Sequence, residues 1–337
     1  MHKILIIQTA FIGDVVLATG VAEKMHLFFP GAEIDFLVRQ GNEALLLGHP
    51  FLHETLVWHK KQHKYKHLFI LLKKIRARKY DAVFNLQRFA ATGLLTAFSG
   101  ARQTVGFDKN PLSFLFTKKI PHRFAQPGET IHEIERNNDL VAFLTNDIAA
   151  KPRLYPTSGD YVAVQQYTQQ PYLCIAPASV WFTKQFPAEK WVALINALPT
   201  NFNVYLIGGP ADKALCEAIR QRVTNSRMID LCGSLTFLQS AALQQGAVMN
   251  YVNDSAPMHF ASAVNAPVTA IYCSTVPSFG YGPLSSNSTI VQTEEPLRCR
   301  PCGIHGHKAC PLGHFNCAYS ITNQQLLQPL PITMPLG

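Results

Sequence analysis

The 337-residue sequence lacks any apolar run that approaches the roughly 20 residues needed to cross a membrane. Its apolar stretch 68–72 is bounded by Lys and His residues. At the amino terminus, Asp14 interrupts the apolar residues before a signal-peptide core is complete, and no cleavage site follows. We therefore expect a cytoplasmic protein.

Two glycine-rich nucleotide signatures are also missing. No Gly-x-Gly-x-x-Gly follows the first predicted strand of either half of the chain, which argues against a nicotinamide-dependent oxidoreductase. The Gly-x-x-x-x-Gly-Lys-Ser/Thr loop of nucleoside triphosphatases does not occur. A phosphate site in this chain therefore has to be built in another way.

Acidic residues are scarce, because 21 Asp and Glu stand against 30 Lys and Arg, a formal net charge of +9. None lies between His59 and Lys79, where the basic residues are Lys60, Lys61, Lys64, Lys66, Lys73, Lys74, Arg76, Arg78 and Lys79. Such a surface suits anionic lipid headgroups or a phosphorylated substrate, and we expect peripheral attachment to the inner face of the cytoplasmic membrane. A nucleic-acid surface and a solvated helix face are the alternatives, and no nucleic-acid partner is expected.

Length and periodicity predict two α/β domains. A hydrophobic fraction of 47% over 337 residues is globular, and the chain is too long for one core. Strand patterns alternate with helix patterns, lapse into Pro, Ser, Gly and Gln residues at 151–170, and then restart. We therefore predict two doubly wound Rossmann-like domains, 1–155 and 170–325, that face a central cleft.

Individual elements follow from the same periodicity. Predicted strands lie at 3–8, 33–39, 54–58, 80–87, 172–176, 203–207, 228–231, 247–252 and 266–273. Predicted helices lie at 15–28, 67–79, 89–98, 131–144, 187–198, 212–223 and 234–245, and another follows residue 254.

The stretch from Asn253 to Val264 carries the clearest signal of a ligand site. Asp254 is a favourable helix N-cap, Pro257 falls in the first turn, and small and apolar residues follow. A helix that begins at the carboxyl end of a parallel strand points unpaired N–H groups and its positive dipole end at the crevice where α/β proteins bind ligands. We expect an anion there, most naturally a phosphate. The alternative is an ordinary βαβ unit with a capped helix.

Two further loops place polar groups after predicted strands. Lys184 follows the first strand of the second domain, with hydroxyls at Ser179 and Thr183, and can neutralise a diphosphate; the alternative is a solvated loop lysine. Gly13 and Asp14 lie where the first strand meets the first helix, so that Asp14 is either a plain N-cap or a general base. Because a helix N-terminus favours the ionised carboxylate, we expect a weak base.

Three segments together resemble glycosyltransferase family 9, the ADP-heptose:lipopolysaccharide heptosyltransferases, in order and spacing across nearly the whole chain. They are Ile12-Gly13-Asp14, Pro177-Ala178-Ser179…Thr183-Lys184-x-x-Pro187 and Asn253-Asp254-Ser255-Ala256-Pro257-Met258-His259-x-Ala261. The chain departs from the family pattern at Ala256, where Gly is usual, and at Gln185-Phe186, where Arg-Trp is common. The resemblance implies a GT-B fold with an amino-terminal acceptor domain, a carboxyl-terminal nucleotide-sugar domain and no catalytic metal.

The resemblance also implies roles for individual residues. Asp14 would be the catalytic base, and Lys184 would be the cation that acts on the donor phosphates. The implied donor-binding residues are Gly13, Ser179, Thr183, Lys184, Asp254, Ser255, Ala256, Met258 and His259. The implied reaction is the inverting, metal-independent transfer of heptose from ADP-heptose to an anionic lipopolysaccharide inner-core acceptor, with no cofactor required. Alternatives are a related glycosyltransferase that uses another nucleotide sugar, and a non-catalytic nucleotide-sugar-binding protein.

A cysteine-rich segment near the carboxyl terminus points to a separate site. Cys299-x-x-Cys302, Cys310 and Cys317, with three histidines among them, predict a structural zinc site of four thiolates. Disulfides are not expected in a reducing cytosol, and the alternative is a set of reduced thiols.

Overall fold

The computed structural model describes residues 1–60, 64–123, 125 and 128–330, apart from the side chain of Lys64. The chain divides into two compact units, Met1–Tyr155 and a second that begins at Pro156. No helix among the described residues is long and apolar enough to span a lipid bilayer.

The first unit is built around a parallel sheet of six strands in the order β3-β2-β1-β4-β5-β6. Its central strands β1 and β4 are buried almost throughout, as a parallel sheet with covered faces requires. The strands are β1 (Lys3–Ile7), β2 (Glu33–Arg39), β3 (Leu52–Trp58), β4 (Ala82–Asn85), β5 (Gln103–Phe107) and β6 (Lys118–Ile120). The helices are α1 (Ile12–Phe28), α2 (Lys64–Arg78), α3 (Ala90–Ala97) and α4 (Glu133–Asp139).

The second unit repeats this plan with the strand order β12-β11-β10-β7-β8-β9, again parallel. The strands are β7 (Tyr172–Ala176), β8 (Asn203–Leu206), β9 (Met228–Asp230), β10 (Met249–Asn253), β11 (Val268–Tyr272) and β12 (Ser288–Gln292). The helices are α5 (Ser158–Val164), α6 (Ala188–Ala197), α7 (Lys213–Arg220), α8 (Phe237–Gln245), α9 (Ala256–Ala263), α10 (Asn316–Tyr319) and α11 (Asn323–Leu327). The short helices α10 and α11 contribute buried side chains, including Cys317 and Leu326, to the same core as Trp191 of α6.

The predicted α/β class is confirmed, and β2 and β7 have the predicted bounds. The strands β5, β6 and β12 are not predicted by the sequence pattern. Strands β6 and β12 lie at sheet edges and are largely solvent-facing, so that neither shows a buried apolar run. The predicted helix 131–144 is interrupted after Asp139, and the predicted connection 151–170 contains α5, a short and largely exposed helix capped by Thr157.

Sheet order brings the predicted site segments to the carboxyl ends of their strands. In the second unit β11, β10 and β7 are neighbours, so that the loops starting at 273, 254 and 177 meet at one edge of the sheet. In the first unit β1 leads into α1, whose first turn contains Gly13 and Asp14. Each candidate site therefore lies at the ligand-binding edge of its own sheet.

Candidate functional site

The loop that follows β7 is held in place by the side chain of Asn253, the last residue of β10. Asn253 Nδ2 donates a hydrogen bond to Pro177 O at 2.7 Å, and Asn253 Oδ1 accepts one from Phe186 N at 3.0 Å. The amide is fully buried and thus ties both ends of the loop to the neighbouring strand. Sequence reasoning gave Asn253 no role of its own, because its function depends on which strands are neighbours.

Within this loop, Lys184 forms an ion pair with Asp254. Lys184 Nζ lies 2.7 Å from Asp254 Oδ2, and the same oxygen accepts a hydrogen bond from Thr275 Oγ1 at 2.7 Å. Asp254 is therefore not the predicted N-cap, since α9 begins at Ala256 and Ser255 holds the N-cap position. The carboxylate turns instead towards the cation and the hydroxyl that the neighbouring loops present.

Thr183 faces the protein interior. Its Oγ1 accepts hydrogen bonds from His307 N at 2.8 Å and from Ser274 Oγ at 3.0 Å, and the residue is 1% exposed. The hydroxyl that the sequence assigns to donor phosphates is thus engaged inside the protein. Ser179 is partly exposed on the same loop and is the better placed hydroxyl for a ligand.

The predicted donor-binding residues at the start of α9 also differ in their exposure to solvent. Ser255 and Ala256 are partly exposed at the helix N-terminus, where a backbone N–H has no intrahelical acceptor. Met258 is fully buried, and its sulfur accepts a hydrogen bond from Tyr272 O–H at 3.4 Å. His259 is also buried. The part of the motif that faces outward is therefore its first turn.

In the first unit, Asp14 occupies the third position of α1. Its Oδ2 accepts a hydrogen bond from Phe11 N at 3.1 Å, so that the carboxylate caps its own helix while remaining partly exposed. Gly13 precedes it in the same turn. The N-cap residue is Phe11, whose ring lies 5.0 Å from the Arg39 guanidinium.

The surroundings of Asp14 make it a stronger base than the sequence predicts. The pKa of Asp14 is raised to about 6, first by burial and second by the negative charge of Glu133, against the lowering effects of the Phe11 N–H and of Arg39. Glu133 is itself buried and bonded to Arg136 Nε at 2.8 Å. The expectation of a weak base is therefore wrong, because desolvation outweighs the helix terminus.

The four cysteines of the predicted zinc site lie in the second unit, where Cys299 Sγ is 4.0 Å from His314 Nε2. Cys317 is buried in the hydrophobic core beside Phe315, and Cys302 Sγ donates a hydrogen bond to Cys299 O at 3.2 Å. Burial raises the pKa of the Cys302 and Cys317 thiols. Cys299, Cys302 and Cys310 each raise the pKa of Cys317 further, so that the four thiols are neighbours and the four-thiolate zinc site stays a prediction.

Another set of potential metal ligands was missed by sequence reasoning. Among the described residues, one group of three such side chains comes together, Cys216, Asp230 and Cys232, with ligand atoms within 4.8 Å of one another. Cys232 Sγ donates to Gly209 O at 3.2 Å, and Asp230 Oδ1 accepts from Cys232 N at 2.8 Å. The first bond connects the ends of β8 and β9, and the second is a local turn at the end of β9.

The basic run of the first unit is partly neutralised by the fold. Lys74 and Arg78 on α2 form ion pairs with Glu54 of β3. The sequence pattern did not predict that Glu54 lies near α2. Lys60 Nζ donates to Thr9 O at 2.8 Å. Lys61 lies outside the described residues. The charges that stay exposed on α2 include Lys66, Lys73 and Arg76.

Comparison with known proteins shows what this architecture is. The profile of the family described as Glycosyltransferase family 9 (heptosyltransferase) matches residues 68–311, which is most of the chain. The two units and their parallel sheets are those of a glycosyltransferase with the GT-B fold. The chain belongs to glycosyltransferase family 9, the heptosyltransferase family.

Similar proteins include curated and structurally solved heptosyltransferases. The chain is 28% identical over 295 residues to lipopolysaccharide heptosyltransferase 3 of Escherichia coli, covering 82% of this chain and 85% of that protein. The structure of E. coli ADP-heptose lps heptosyltransferase II superposes with a TM-score of 0.80 at 20% identity, covering 97% of each chain. E. coli heptosyltransferase WaaC with ADP-2-deoxy-2-fluoro heptose gives a TM-score of 0.71 at 19% identity, covering 97% of this chain and 98% of that one.

Replacing Glu133 by Gln is expected to lower the pKa of Asp14 from about 6, because loss of a nearby negative charge favours the carboxylate. An NMR titration of the Asp14 carboxyl carbon measures this. Glu135→Gln is the control, since Glu135 is exposed on the same helix and keeps a capping oxygen. An Asp14 pKa that stays unchanged in Glu133→Gln, or falls equally in both variants, would contradict the role given to Glu133.

Proposed function

We propose that this protein is an inverting, metal-independent heptosyltransferase that moves heptose from ADP-heptose to a lipopolysaccharide inner-core acceptor. The observation that carries the proposal is the largely buried Lys184–Asp254 pair beside the open first turn of α9. The names of the similar proteins, which include ADP-heptose and lipopolysaccharide heptosyltransferases, support the donor and the acceptor. The second unit takes the donor and the first unit takes the acceptor.

The donor diphosphate binds at the carboxyl edge of β7 and β10. An ammonium carries three N–H groups, so that Lys184 keeps donors for phosphate oxygens while one serves Asp254. The Ala256 N–H and the positive end of α9 add a second source of positive potential, and Ser179 offers a hydroxyl. These groups stabilise the charge on ADP as it leaves, which is the part of the reaction that needs electrostatic help.

Asp14 acts as the general base. In a single displacement, the acceptor hydroxyl oxygen bonds to the anomeric carbon, the bond from that carbon to the ADP phosphate oxygen breaks on the opposite face, and the hydroxyl proton goes to Asp14. With its pKa raised to about 6, this carboxyl is deprotonated at neutral pH and still takes up a proton more readily than an ordinary aspartate. Asp254 serves a different purpose, because it holds Lys184 in place.

Incubating the protein with ADP-heptose and a core acceptor is expected to release ADP. Asp14→Asn should reduce kcat by roughly two or more orders of magnitude, because a base has been removed while an amide can still cap the helix. ADP affinity should stay within a few-fold. Full activity in Asp14→Asn would rule out the base assignment, and wild-type protein that binds ADP-heptose without turnover would favour a binding protein. Turnover with another nucleotide sugar only would identify a different donor.

Lys184→Ala is expected to weaken ADP binding by about 1.5–3 kcal/mol, the usual worth of a charge-assisted hydrogen bond. Adenosine binding should hardly change, since adenosine has no phosphate. Titration calorimetry with both ligands separates the two effects. Lys119→Ala, an exposed lysine in the first unit, is the control for the change in net charge. Equal losses for ADP and adenosine would show that Lys184 acts elsewhere.

We further propose that the protein is cytoplasmic and attaches to the inner face of the cytoplasmic membrane through α2. The helix exposes Phe69 and Ile70, 58% and 52% accessible, among its lysines, which is the composition of an interfacial helix. Because Lys74 and Arg78 pair with Glu54, the attachment rests on the remaining exposed cations.

Changing Lys66 and Lys73 together to Gln should reduce binding to anionic vesicles about 30-fold, from about 1 kcal/mol for each basic residue at the surface. Raising the salt should have the same effect, because the Debye length falls from about 10 Å at 0.1 M to about 3 Å at 1 M. Vesicle co-sedimentation measures both. The control is Lys118 and Lys119 changed to Gln, two exposed lysines of β6. Vesicle binding that changes neither with salt nor with either pair of substitutions would show that α2 is only a solvated face.

A further inference from the structure

The segment 299–307, here called the Cys-rich loop because it contains Cys299 and Cys302, folds back onto the end of β11. Arg300 Nε donates to Cys273 O at 2.7 Å, and Arg300 Nη2 donates to Thr275 O at 2.7 Å. Cys302 N donates to Ser274 O at 2.9 Å. The Cys-rich loop is therefore fixed to the residues 273–275, which also supply the hydroxyl that bonds Asp254.

The same loop is paired with the residue that precedes Lys184. Thr183 N donates to His307 O at 3.1 Å, and His307 N donates to Thr183 Oγ1 at 2.8 Å. Thr183 O also accepts a hydrogen bond from Ser274 N at 3.2 Å. These bonds leave Thr183 locked from two sides, and Lys184 follows it directly in the same short 3₁₀ turn.

Gly306 lies where the two loops leave no room for a side chain. Its φ of +74° lies in the left-handed region, and a Cβ there would stand 2.8 Å from Thr183 Oγ1, 3.1 Å from Lys184 Cγ and 3.3 Å from Ser274 Oγ. Real Cβ atoms do not approach other atoms below 3.0 Å, so that Thr183 or the Cys-rich loop would have to move. Because glycine carries only a hydrogen atom in place of Cβ, the two loops can pack against each other here.

Lys184 needs such support from outside its own loop. A lysine has a long flexible stem, and a 3₁₀ turn of three residues provides few backbone bonds of its own. An electrostatic group stabilises a leaving phosphate best when it is already in position. The Cys-rich loop meets this requirement through Thr183 and through the stem of Lys184.

We propose that the end of the Cys-rich loop, at Gly306 and His307, is a wall of the donor-phosphate site and that Gly306 is a positioning residue for Lys184. The inference rests on the proposed function, in that Lys184 is taken to bind the diphosphate of ADP. It also gives Thr183 a definite part, which is to connect the Cys-rich loop to Lys184 rather than to bind phosphate.

The test compares Gly306→Ala with Gly303→Ala in the full chain. Gly303 has a φ of +69°, and a Cβ added there would meet no atom within 4 Å, so that both variants carry the same backbone strain and only one presses on Thr183 and Lys184. We expect Gly306→Ala to weaken ADP binding at least 10-fold with adenosine binding within two- to three-fold, and Gly303→Ala to leave both nearly unchanged. Thermal unfolding should show similar shifts for the two variants.

Substitutions of Thr183, to Val and to Ser, test the same contact between the Cys-rich loop and the Lys184 loop. Valine removes the acceptor of the His307 N–H and should weaken ADP selectively, whereas serine keeps the hydroxyl and should restore binding. Equal ADP affinities in the two glycine variants, or a Thr183→Val protein that binds ADP like wild type, would overturn the inference. Equal losses for ADP and adenosine in Gly306→Ala would also overturn it, as a general loss of structure.

The outcome is separable from that of the proposed function. Wild-type protein that binds ADP but transfers no heptose would remove the proposed reaction and leave the assignment of Gly306 intact. Wild-type protein that does not bind ADP would overturn the donor site and the inference with it.

Discussion

The buried side-chain amide of Asn253 is the interaction on which the donor-side arrangement depends. It satisfies the carbonyl of Pro177 and the N–H of Phe186, both of which are buried. An unsatisfied buried backbone group costs about 1–3 kcal/mol, so that this one amide decides whether the loop between them closes onto β10. Once the loop is closed, Lys184 meets Asp254 and the first turn of α9 opens beside them.

The two carboxylates of the candidate sites show how environment assigns different roles to the same side chain. Asp254 faces an ammonium and a hydroxyl, so that its charge is compensated and serves to orient Lys184. Asp14 lies in a partly buried turn with Glu133 nearby, and its pKa is raised to about 6. One carboxylate is suited to holding a cation and the other to accepting a proton.

The carboxyl-terminal segment links stability to the candidate site. Its helices α10 and α11 add buried side chains to the core of the second unit, and the loop before them bonds to residues 273–275 and to Thr183. The segment that carries the cysteines is therefore a neighbour of the donor loop. A segment that the sequence marks by its cysteines is connected to the site mainly through backbone groups, an arginine and a glycine.

The sequence by itself determined the fold class, the positions of most strands and the segments of the candidate site, because period, capping residues and glycine placement are local properties. The edge strands β6 and β12 were not predicted, because a half-exposed strand lacks a buried apolar run. Only the tertiary structure decided that Asp254 pairs with Lys184 instead of capping α9, and that Thr183 faces inward. It also decided the basicity of Asp14 and the pairing of Lys74 and Arg78 with Glu54. The ion-pair partner of a side chain and its exposure to water depend on which strands and loops become neighbours. Residues far apart in the chain become neighbours only when the sheets assemble, so that the sequence pattern does not predict these properties.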